Sequence, residues 1–371
     1  MIIFTIIIFL GIIQGFFLGF TLLTIKRGNR KANLILGILI IVFSINISNV
    51  IFLNINAYDH FPYLIIITNP PVFLFGPLFF LLVKVITNNT YKIRIKHTLH
   101  SIPFIICTVY LLILYLGSMT AQAGALQPWV DQLTVISKIL SSFVFFHIVI
   151  YISIIFNVIS DYERKIKNSY ASIDKKNIKW IKTFGKEFSL VVAVSIILTV
   201  FVFTTYGRSV APYAGNIIAL MVAFFIYKAG YDGLRNMEIF MADAHMVQRK
   251  KYTQSTLRPD QAAEYEKRLL SVMSIKKPYL SNNLSIQDLA EECGIPAYHL
   301  SQIINEQFNQ NFFDFINRYR IEEAKKLLTD SVKKHYTILA VAYEVGFNSK
   351  SAFNKAFKKY THETPSQFRD Q

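Results

Sequence analysis

Two groups of polar side chains in this chain of 371 residues have types and spacings that could do chemistry. Asn46, Asn49 and His147 lie inside long apolar runs, where a polar group costs free energy unless a ligand, an ion or another helix satisfies it. The second group lies near the C-terminus, where polar and basic side chains recur on the outer faces of short helical patterns. The first group is a candidate sensor or transport site, and the second is a candidate site for contacting nucleic-acid bases.

The sequence contains none of the common catalytic constellations. There is no H-E-x-x-H, no G-x-S-x-G and no P-loop. Two cysteines, Cys107 and Cys293, are too few for a disulfide framework or a zinc ligand set. A membrane-bound enzyme would need polar groups that meet inside the bundle, such as His147 with Asn46 or Asn49, and nothing in the sequence indicates that they meet. We therefore expect no enzymatic activity, no cofactor and no metal.

Long apolar runs dominate the part of the chain before about residue 230 and predict membrane-spanning helices. Several exceed the ~18 apolar residues that mark a membrane span, which excludes a single soluble globular domain. The apolar segments are 2–25, 33–55, 62–86, 98–118, 133–158, 187–206 and 210–230. Each is long enough to cross ~30 Å of hydrocarbon as a helix. The sequence therefore predicts a transmembrane domain of seven helices over residues 1–230, with the third interrupted by Pro70-Pro71 and Gly76-Pro77.

The basic residues between these segments predict the orientation of the chain. The first, third and fifth connecting loops carry fifteen Lys and Arg residues, whereas the loops between them carry one, Arg208. Short loops rich in Lys and Arg stay in the cytoplasm. We therefore expect a multi-pass protein of the cytoplasmic (inner) membrane with its N-terminus outside, its first segment retained as a span, and its C-terminal part in the cytoplasm.

Residues 231–261 become polar and mixed in charge, which predicts a cytoplasmic linker before a domain over residues 262–371. That domain opens with a predicted helix over residues 262–274. Within residues 285–307, Ser285 and Asp288 have the spacing of a capping box, Gly294 fits the end of a short helix, and Pro296 fits the first turn of the next. Two short helices around a tight turn are typical of a helix-turn-helix unit, whose second helix enters the major groove of DNA.

A second pattern of this kind covers residues 337–360. Thr337 fits the start of a helix, Gly346 the turn, and Ser349 the start of the second helix. One long amphipathic helix over residues 312–328 is predicted to join the two units. Its charged residues are expected to form a solvated face with ion pairs at helical spacing. These residues are Arg318, Arg320, Glu322, Glu323, Lys325 and Lys326.

Residues from about 262 to 371 resemble the DNA-binding domain of the AraC/XylS family of bacterial transcription regulators. Motifs in the same order along the domain carry the resemblance. They are Leu289-Ala290-Glu291-Glu292-Cys293-Gly294-Ile295-Pro296, Leu300-Ser301-Gln302-Ile303-Ile304-Asn305-Glu306, Phe312-Phe313-Asp314-Phe315-Ile316-Asn317, Phe353-Asn354-Lys355-Ala356-Phe357-Lys358-Lys359-Tyr360 and Thr364-Pro365-Ser366-Gln367-Phe368-Arg369. The apolar part also resembles the multi-span front of membrane-bound members, through Gly76-Pro77-Leu78 and His100-Ser101-Ile102-Pro103-Phe104.

The resemblance implies a monomer that reads two successive major-groove segments, with RNA polymerase as a partner. It places the base-reading positions on the second helix of each unit. These positions are Tyr298, Ser301 and Gln302 in the first unit and Lys350, Ser351, Asn354 and Lys355 in the second. Gln and Asn can pair with adenine, Lys can bind guanine, and Tyr can pack on a thymine methyl group, although each Lys could equally contact phosphate or only water. Ile295 stands where the family usually has a capping residue.

Two functions from different classes remain open on the sequence alone. The first is a membrane-anchored transcription regulator, an activator by the family's commoner habit, that couples a membrane or extracytoplasmic signal to promoter DNA through the seventh span and residues 231–261. The second is a transporter or channel-like protein with a regulatory helix-turn-helix domain. The expected partners of the regulator are double-stranded promoter DNA, the lipid bilayer, an unknown signal and a second copy in a homodimer.

Overall fold

A computed structural model describes most of the chain in eight ranges. These are residues 2–26, 28–88, 90–120, 127–172, 178–203, 207–235, 257–330 and 335–370. Within them every regular element is a helix, and the only bridge of the β type is an isolated one between Tyr170 and Ser285. The predicted all-α class is therefore confirmed for the described residues. The chain divides into one unit of Met1–Ile159 with Lys179–Met246 and another of Ser160–Ile178 with Val247–Gln371.

The apolar unit is built from the first nine helices. They are α1 (Ile2–Thr24), α2 (Arg30–Asn54), α3 (Ala57–His60), α4 (Leu64–Thr68), α5 (Phe75–Thr87), α6 (Ile102–Thr120), α7 (Gln127–Lys167), α8 (Ile178–Val202) and α9 (Gly207–Arg235). Seven helical stretches of the described chain are long and apolar enough to cross a membrane. Each of the seven predicted apolar segments overlaps one of these stretches. The last residues of 187–206 and most of the predicted linker 231–261 lie outside the described residues.

The third of these stretches is broken, as its prolines predict. Pro70-Pro71 begin a 3₁₀ turn, Pro70–Leu74, that separates α4 from α5, because proline removes a backbone donor and clashes with the preceding turn. Gly76-Pro77 were expected to break the span as well, but they lie in the first turn of α5. Proline is tolerated there because its missing N–H would have had no acceptor within the helix.

An aromatic cluster holds the apolar unit together. Phe43 of α2 lies with its ring centroid 4.2 Å from that of Phe75 in α5, and 5.6 Å from that of Phe225 in α9. Phe188 of α8 lies 6.1 Å from Phe43. Edge-to-face and tilted contacts at these separations suit the quadrupole of aromatic rings. One buried contact set therefore joins α2, α5, α8 and α9.

The second unit contains residues 160–172, which end α7 and follow it, and the last seven helices. These helices are α10 (Pro259–Ile275), α11 (Ile286–Cys293), α12 (Ala297–Glu306), α13 (Phe312–Thr329), α14 (Ile338–Glu344), α15 (Lys350–Thr361) and α16 (Pro365–Arg369). The helices predicted over 262–274 and 312–328 are confirmed as α10 and α13, each within three residues at either end. Below, α11 and α12 are called the first helix pair, and α14 and α15 the second helix pair.

Two hydrophobic cores of the second unit meet on α13. The N-terminal half of this helix, including Phe312 and Ile316, packs with α10 and the first helix pair. Its C-terminal half, including Ala324 and Leu328, packs with the second helix pair. A helix with 18 residues is ~27 Å long, so α13 can serve both cores and fix the spacing of the two pairs.

Candidate nucleic-acid interface

The first helix pair begins and turns as its sequence predicts. Asp288 donates its backbone N–H to Ser285 Oγ at 3.2 Å, and the Ser285 N–H donates to Asp288 Oδ2 at 2.8 Å, which completes the capping box. Gly294 ends α11 in the left-handed conformation at φ +65°. An added Cβ there would meet open space except for Arg268 Nη1 at 3.9 Å, so the backbone conformation alone makes glycine the favoured residue.

The start of α12 differs slightly from the prediction. Pro296 is the N-cap residue, and the helix begins at Ala297. No side chain caps this end, because neither Ile295 nor Pro296 carries a hydrogen-bond acceptor. The first N–H groups of α12 therefore lack the side-chain acceptor that stabilises most helix starts.

The three predicted base-reading positions of α12 have different environments. Tyr298 is 45% exposed, and its ring centroid lies 4.1 Å from that of His299 with the two rings tilted by 57°. Gln302 is half-buried and donates to both carboxylate oxygens of Glu306 at 3.1 Å. Ser301 was expected to face outward, yet it is only 7% exposed.

Ser301 is hydrogen-bonded to a residue of its own helix. The amide of Asn305, one turn later, lies over it and donates to the Ser301 carbonyl at 2.6 Å and to its Oγ at 3.4 Å. Asn305 itself is exposed.

The second helix pair also follows the predicted pattern, with a tighter turn. Thr337 caps α14 by accepting from the Ala340 N–H at 3.1 Å, and Ser349 caps α15 by accepting from the Ala352 N–H at 3.2 Å. Gly346 adopts φ +89°. A Cβ at this position would lie 2.8 Å from the Tyr279 carbonyl oxygen and 2.7 Å from that of Leu280. Glycine is therefore required both by the backbone conformation and by the approach of another segment.

The outer face of α15 carries most of the positive charge of the two pairs. Lys350, Ser351 and Lys355 are exposed, and so is Lys358. Asn354 is half-buried, and its Oδ1 is shielded from solvent without a hydrogen-bond partner in the described chain. A row of exposed lysines with an amide between them can bind phosphates and base edges.

The joining helix α13 contains the clearest departure from the sequence analysis. Arg320 was expected on a solvated face, but its side chain is completely buried. Its Nε donates to the Tyr279 carbonyl and its Nη2 to the Ser281 carbonyl, both at 2.7 Å. These carbonyl oxygens replace water around the guanidinium group, whose pKa burial nevertheless lowers to about 10. Arg320 therefore stays charged at neutral pH.

Four of the other charged residues of α13 form the expected ion pairs. Glu322 pairs with Lys325 at 2.8 Å and Glu323 with Lys326 at 3.5 Å, both at helical spacing. Glu323 also accepts a hydrogen bond from Lys277 at 2.6 Å.

A polar contact ties the start of α13 to the second helix pair. Asp314 Oδ1 lies 2.7 Å from Lys359 Nζ, and the Tyr360 hydroxyl donates to the Asp314 backbone carbonyl at 3.1 Å and to its Oδ1 at 3.2 Å. Burial raises the pKa of Asp314, but Lys359, Asn311 and Tyr360 together hold it below its usual value. Lys359 is thus engaged within the domain, unlike the lysines on the outer face of α15.

Of the polar residues predicted as a possible sensor, the two asparagines are hydrogen-bonded separately within the apolar unit, whereas the Nδ1 of His147 is buried without a hydrogen-bond partner in the described chain. Asn46 Nδ2 donates to the Thr68 carbonyl at 3.0 Å, and Asn49 Oδ1 accepts from the Tyr58 hydroxyl. His147 contacts aromatic rings, with centroids 5.6 Å from Phe73 and 4.9 Å from Tyr151. In the described chain no hydrogen bond joins His147 to either asparagine. Hydrogen bonding between helices, the simpler of the two interpretations, accounts for the contacts of both asparagines.

Comparison with known proteins shows what the C-terminal region of the chain is similar to. A family model described as a helix-turn-helix domain matches residues 289–371. An uncharacterized HTH-type transcriptional regulator of Staphylococcus aureus (strain COL) is 30% identical over 155 residues, which are 42% of this chain and 20% of the relative. An uncharacterized HTH-type transcriptional regulator of Haemophilus influenzae is 28% identical over 142 residues, 38% of this chain and 45% of the relative.

The chain therefore spans about a fifth of the length of the staphylococcal relative and less than half of that from Haemophilus. Among solved structures, the C-terminal domain of the two-component response regulator yesN from Fusobacterium nucleatum is 25% identical with a TM-score of 0.25, covering 29% of this chain and 98% of its own. The C-terminal domain of AraT, a response regulator from Geobacillus stearothermophilus, is 23% identical with a TM-score of 0.25, covering 31% of this chain and 88% of its own.

Proposed function

The C-terminal part of the chain carries an AraC-type helix-turn-helix domain, and from this premise we propose that the protein is a membrane-anchored, sequence-specific regulator of transcription. The observation that carries the proposal is the presence, in one chain, of this domain and of seven helical stretches long and apolar enough to cross a membrane. A DNA-binding domain attached to such helices would read promoters from the membrane surface. It needs no enzymatic step.

The proposed DNA contacts lie on α12 and α15. Lys350 and Lys355 are exposed and positively charged, and they would contact phosphates or guanine edges. Gln302 and Asn354 carry amides of the type that pairs with adenine, Asn354 only after its shielded Oδ1 becomes accessible, and Tyr298 would pack on a thymine methyl group. Ser351 would add a short polar contact, whereas Ser301 is buried and would contribute only after a local rearrangement.

The arrangement in the membrane is proposed from the distribution of basic residues. The loops rich in Lys and Arg would face the cytoplasm, so that the N-terminus lies outside and residues 262–371 lie in the cytoplasm with the chromosome. Residues 1–230 would form the membrane domain and residues 231–261 the linker. This arrangement supports residence in the inner membrane with the lipid bilayer as a partner.

The membrane domain is proposed to sense a signal and to bias promoter binding, since a ligand can shift an equilibrium only by binding one arrangement better than another. Asn46, Asn49 and His147 are the candidate sensor residues, although their present contacts serve helix packing. Activation through RNA polymerase is the proposed outcome, and pairing into a homodimer is the proposed way to read tandem sites.

Crosslinking of the protein to the chromosome in intact cells, followed by isolation of membranes and sequencing of the attached DNA, tests the proposal. The wild type is compared with Lys350→Ala/Lys355→Ala and with the matched control Lys267→Ala/Lys276→Ala, which removes two exposed lysines of α10 and the residue after it. We expect discrete chromosomal sites with the wild type and the control, and loss of most sites in the α15 variant.

Absence of discrete sites from the membrane fraction under every growth condition would contradict the proposal. The transporter interpretation would then be tested by substrate flux in reconstituted vesicles. In that case Lys350→Ala/Lys355→Ala would leave flux unchanged.

A further inference from the structure

Residues 168–172, which directly follow α7, are part of the DNA-binding unit although they lie more than 80 residues before α10, the first of its last seven helices. Ala171 is only 1% exposed and belongs to the same hydrophobic core as Leu289 and Ile295 of the first helix pair. Tyr170 forms the isolated bridge with Ser285, the N-cap residue of α11. The segment therefore packs against the start of the first helix pair.

Two backbone hydrogen bonds fix this contact. The Ala171 N–H donates to the Leu284 carbonyl at 3.1 Å, and the Ile286 N–H donates to the Ser169 carbonyl at 3.0 Å. Ile286 is the first residue of α11, and the N–H groups of a first helical turn have no acceptor inside the helix. The Ser169 carbonyl thus satisfies a donor that α11 cannot satisfy itself.

The joining helix also holds the segment. Arg320 Nη1 donates to the Ala171 carbonyl at 3.2 Å and to Asn317 Oδ1 at 3.3 Å. A buried guanidinium needs an acceptor for each of its N–H groups, because an unpaired buried charge is costly. The Ala171 carbonyl is one of three backbone carbonyls that surround it, together with those of Tyr279 and Ser281.

The last residue of the segment contacts the second helix pair. Asn348 Nδ2 donates to Ser172 Oγ at 2.7 Å and to the Asn282 carbonyl at 3.3 Å. Asn348 immediately precedes Ser349, the N-cap residue of α15. The segment 168–172 therefore contacts the first helix pair, the joining helix and the residue that leads into the second reading helix.

The turns of α7 just before the segment border a cleft on one face. A polar cleft of about 480 Å³ lies between them and the C-terminal end of α12, lined by Glu163, Arg164 and Lys167 on one side and Asn305 on the other. Tyr162 and Ile166 in these turns are nevertheless buried, with 5% and 1% of their surface exposed.

We propose that Ala171 and Ser172 are positioning residues for DNA reading, in that residues 168–172 hold α12 and α15 in one mutual arrangement. This inference rests on the proposed function, because it concerns the helices that would read DNA. The segment would be a second connection between the apolar unit and the DNA-binding unit, in addition to the one expected through residues 231–261. Since α7 contains a candidate membrane span, Ser142–Lys167, that ends directly before the segment, a signal that shifts this helix would loosen or tighten the segment.

Hydrogen exchange of the full-length protein in lipid nanodiscs tests the contact without DNA. Ala171→Glu places a carboxylate inside the hydrophobic core of the unit. Ala263→Glu makes the same change at an exposed position of α10. In the wild type and the control we expect the Ile286 amide to be protected at least about tenfold relative to a free helix-terminal amide. In Ala171→Glu this protection should be lost, while amides in the middle of α13 stay protected and show that the domain is folded.

A milder variant separates loss of the contact from unfolding. Ser172→Ala leaves Ala171 in the core and removes only the bond from Asn348, so exchange at Ile286 should rise by a smaller factor than in Ala171→Glu. An unprotected Ile286 amide in the wild type would overturn the proposal. So would protection that neither variant changes.

Chromosomal crosslinking of the same variants then tests the role in DNA reading. Ala171→Glu should weaken the sites at least about fivefold, while Ala263→Glu leaves them unchanged. Unchanged sites in Ala171→Glu, together with lost protection at Ile286, would overturn the positioning role and leave the proposed function intact. Absence of sites in the wild type would instead overturn the proposed function, whatever the exchange experiment shows.

Discussion

The two helix pairs of the DNA-binding unit share one plan and differ in how they are equipped to meet DNA. The second reading helix, α15, has a serine cap and exposes Lys350, Lys355 and Lys358. The first, α12, starts without a side-chain cap, has no Lys or Arg, and ends in Glu306. Phosphate contacts supply affinity and base-edge contacts supply specificity. We therefore propose that α15 would provide most of the affinity for DNA and that α12 would mainly discriminate between sequences.

The pairs also differ in how tightly their turns are packed. At Gly346 another segment approaches the backbone, whereas at Gly294 the surroundings are open. We expect Gly346→Ala to destabilise the second pair by about 3 kcal/mol or more, from the left-handed backbone together with the overlap with the carbonyls of residues 279 and 280. Gly294→Ala should destabilise the first pair by only about 1–2 kcal/mol, because there the left-handed backbone conformation is the sole source of strain.

Hydrogen exchange in α14 and α11 of the full-length protein measures both changes. The control is Ala340→Gly, a small change at an exposed position of α14 that adds no atoms. Equal losses of stability in Gly346→Ala and Gly294→Ala would contradict the difference in packing between the two turns.

Removal of the cap of α15 should have a smaller effect and should make the two reading helices more alike. Ser349→Ala deletes the oxygen that accepts from the Ala352 N–H, and we expect a loss of about 1 kcal/mol in the stability of α15. Ser351→Ala, two residues later on the exposed face, is the matched control and should change stability by less than about 0.5 kcal/mol. Exchange rates of the α15 amides provide the measurement, and equal effects of the two variants would refute the role of the cap.

The smallest expected effect is a change in stability with pH, which arises from the contact between Asp314 and Lys359. Because the pKa of Asp314 is lowered in the folded domain, its contribution is present above the unfolded pKa of ~3.9 and is lost as the pH falls through the lower folded value. The side chain of Lys359 is largely exposed, so we expect at most about 1 kcal/mol. Asp314→Asn should remove this part of the acid sensitivity of α15, measured by its thermal stability between pH 5 and pH 2. Identical acid profiles of variant and wild type would exclude the contribution.

Much of this unit could be predicted from the sequence, because its helix ends depend on local chemistry. Capping side chains and turn glycines act within a few residues, which is why Ser285, Gly294, Thr337 and Ser349 were identified in their observed roles. The long apolar runs likewise predicted helices, since their composition permits few alternatives.

The buried Arg320 was missed because its charge suggested solvent. A spacing signal was present, since Phe312, Ile316, Arg320, Ala324 and Leu328 recur every four residues and all are buried. The acceptors of its N–H groups are backbone carbonyls of distant segments, which no sequence pattern reveals. The burial of Ser301 under Asn305 depends on a side-chain rotamer, and the packing of Ala171 depends on a contact across more than a hundred residues.

The most direct test of the difference between α12 and α15 is the salt dependence of DNA binding. Full-length protein in nanodiscs is titrated with a DNA fragment recovered by crosslinking and with an unrelated fragment, for Lys350→Ala/Lys355→Ala and Tyr298→Ala/Gln302→Ala. The lysine variant should bind both fragments about 10–100-fold more weakly, with a salt slope reduced by about 1–2. The α12 variant should keep the salt slope and lose about 1–3 kcal/mol of discrimination between the fragments. Loss of discrimination in the lysine variant alone, or a reduced slope in the α12 variant, would contradict the account.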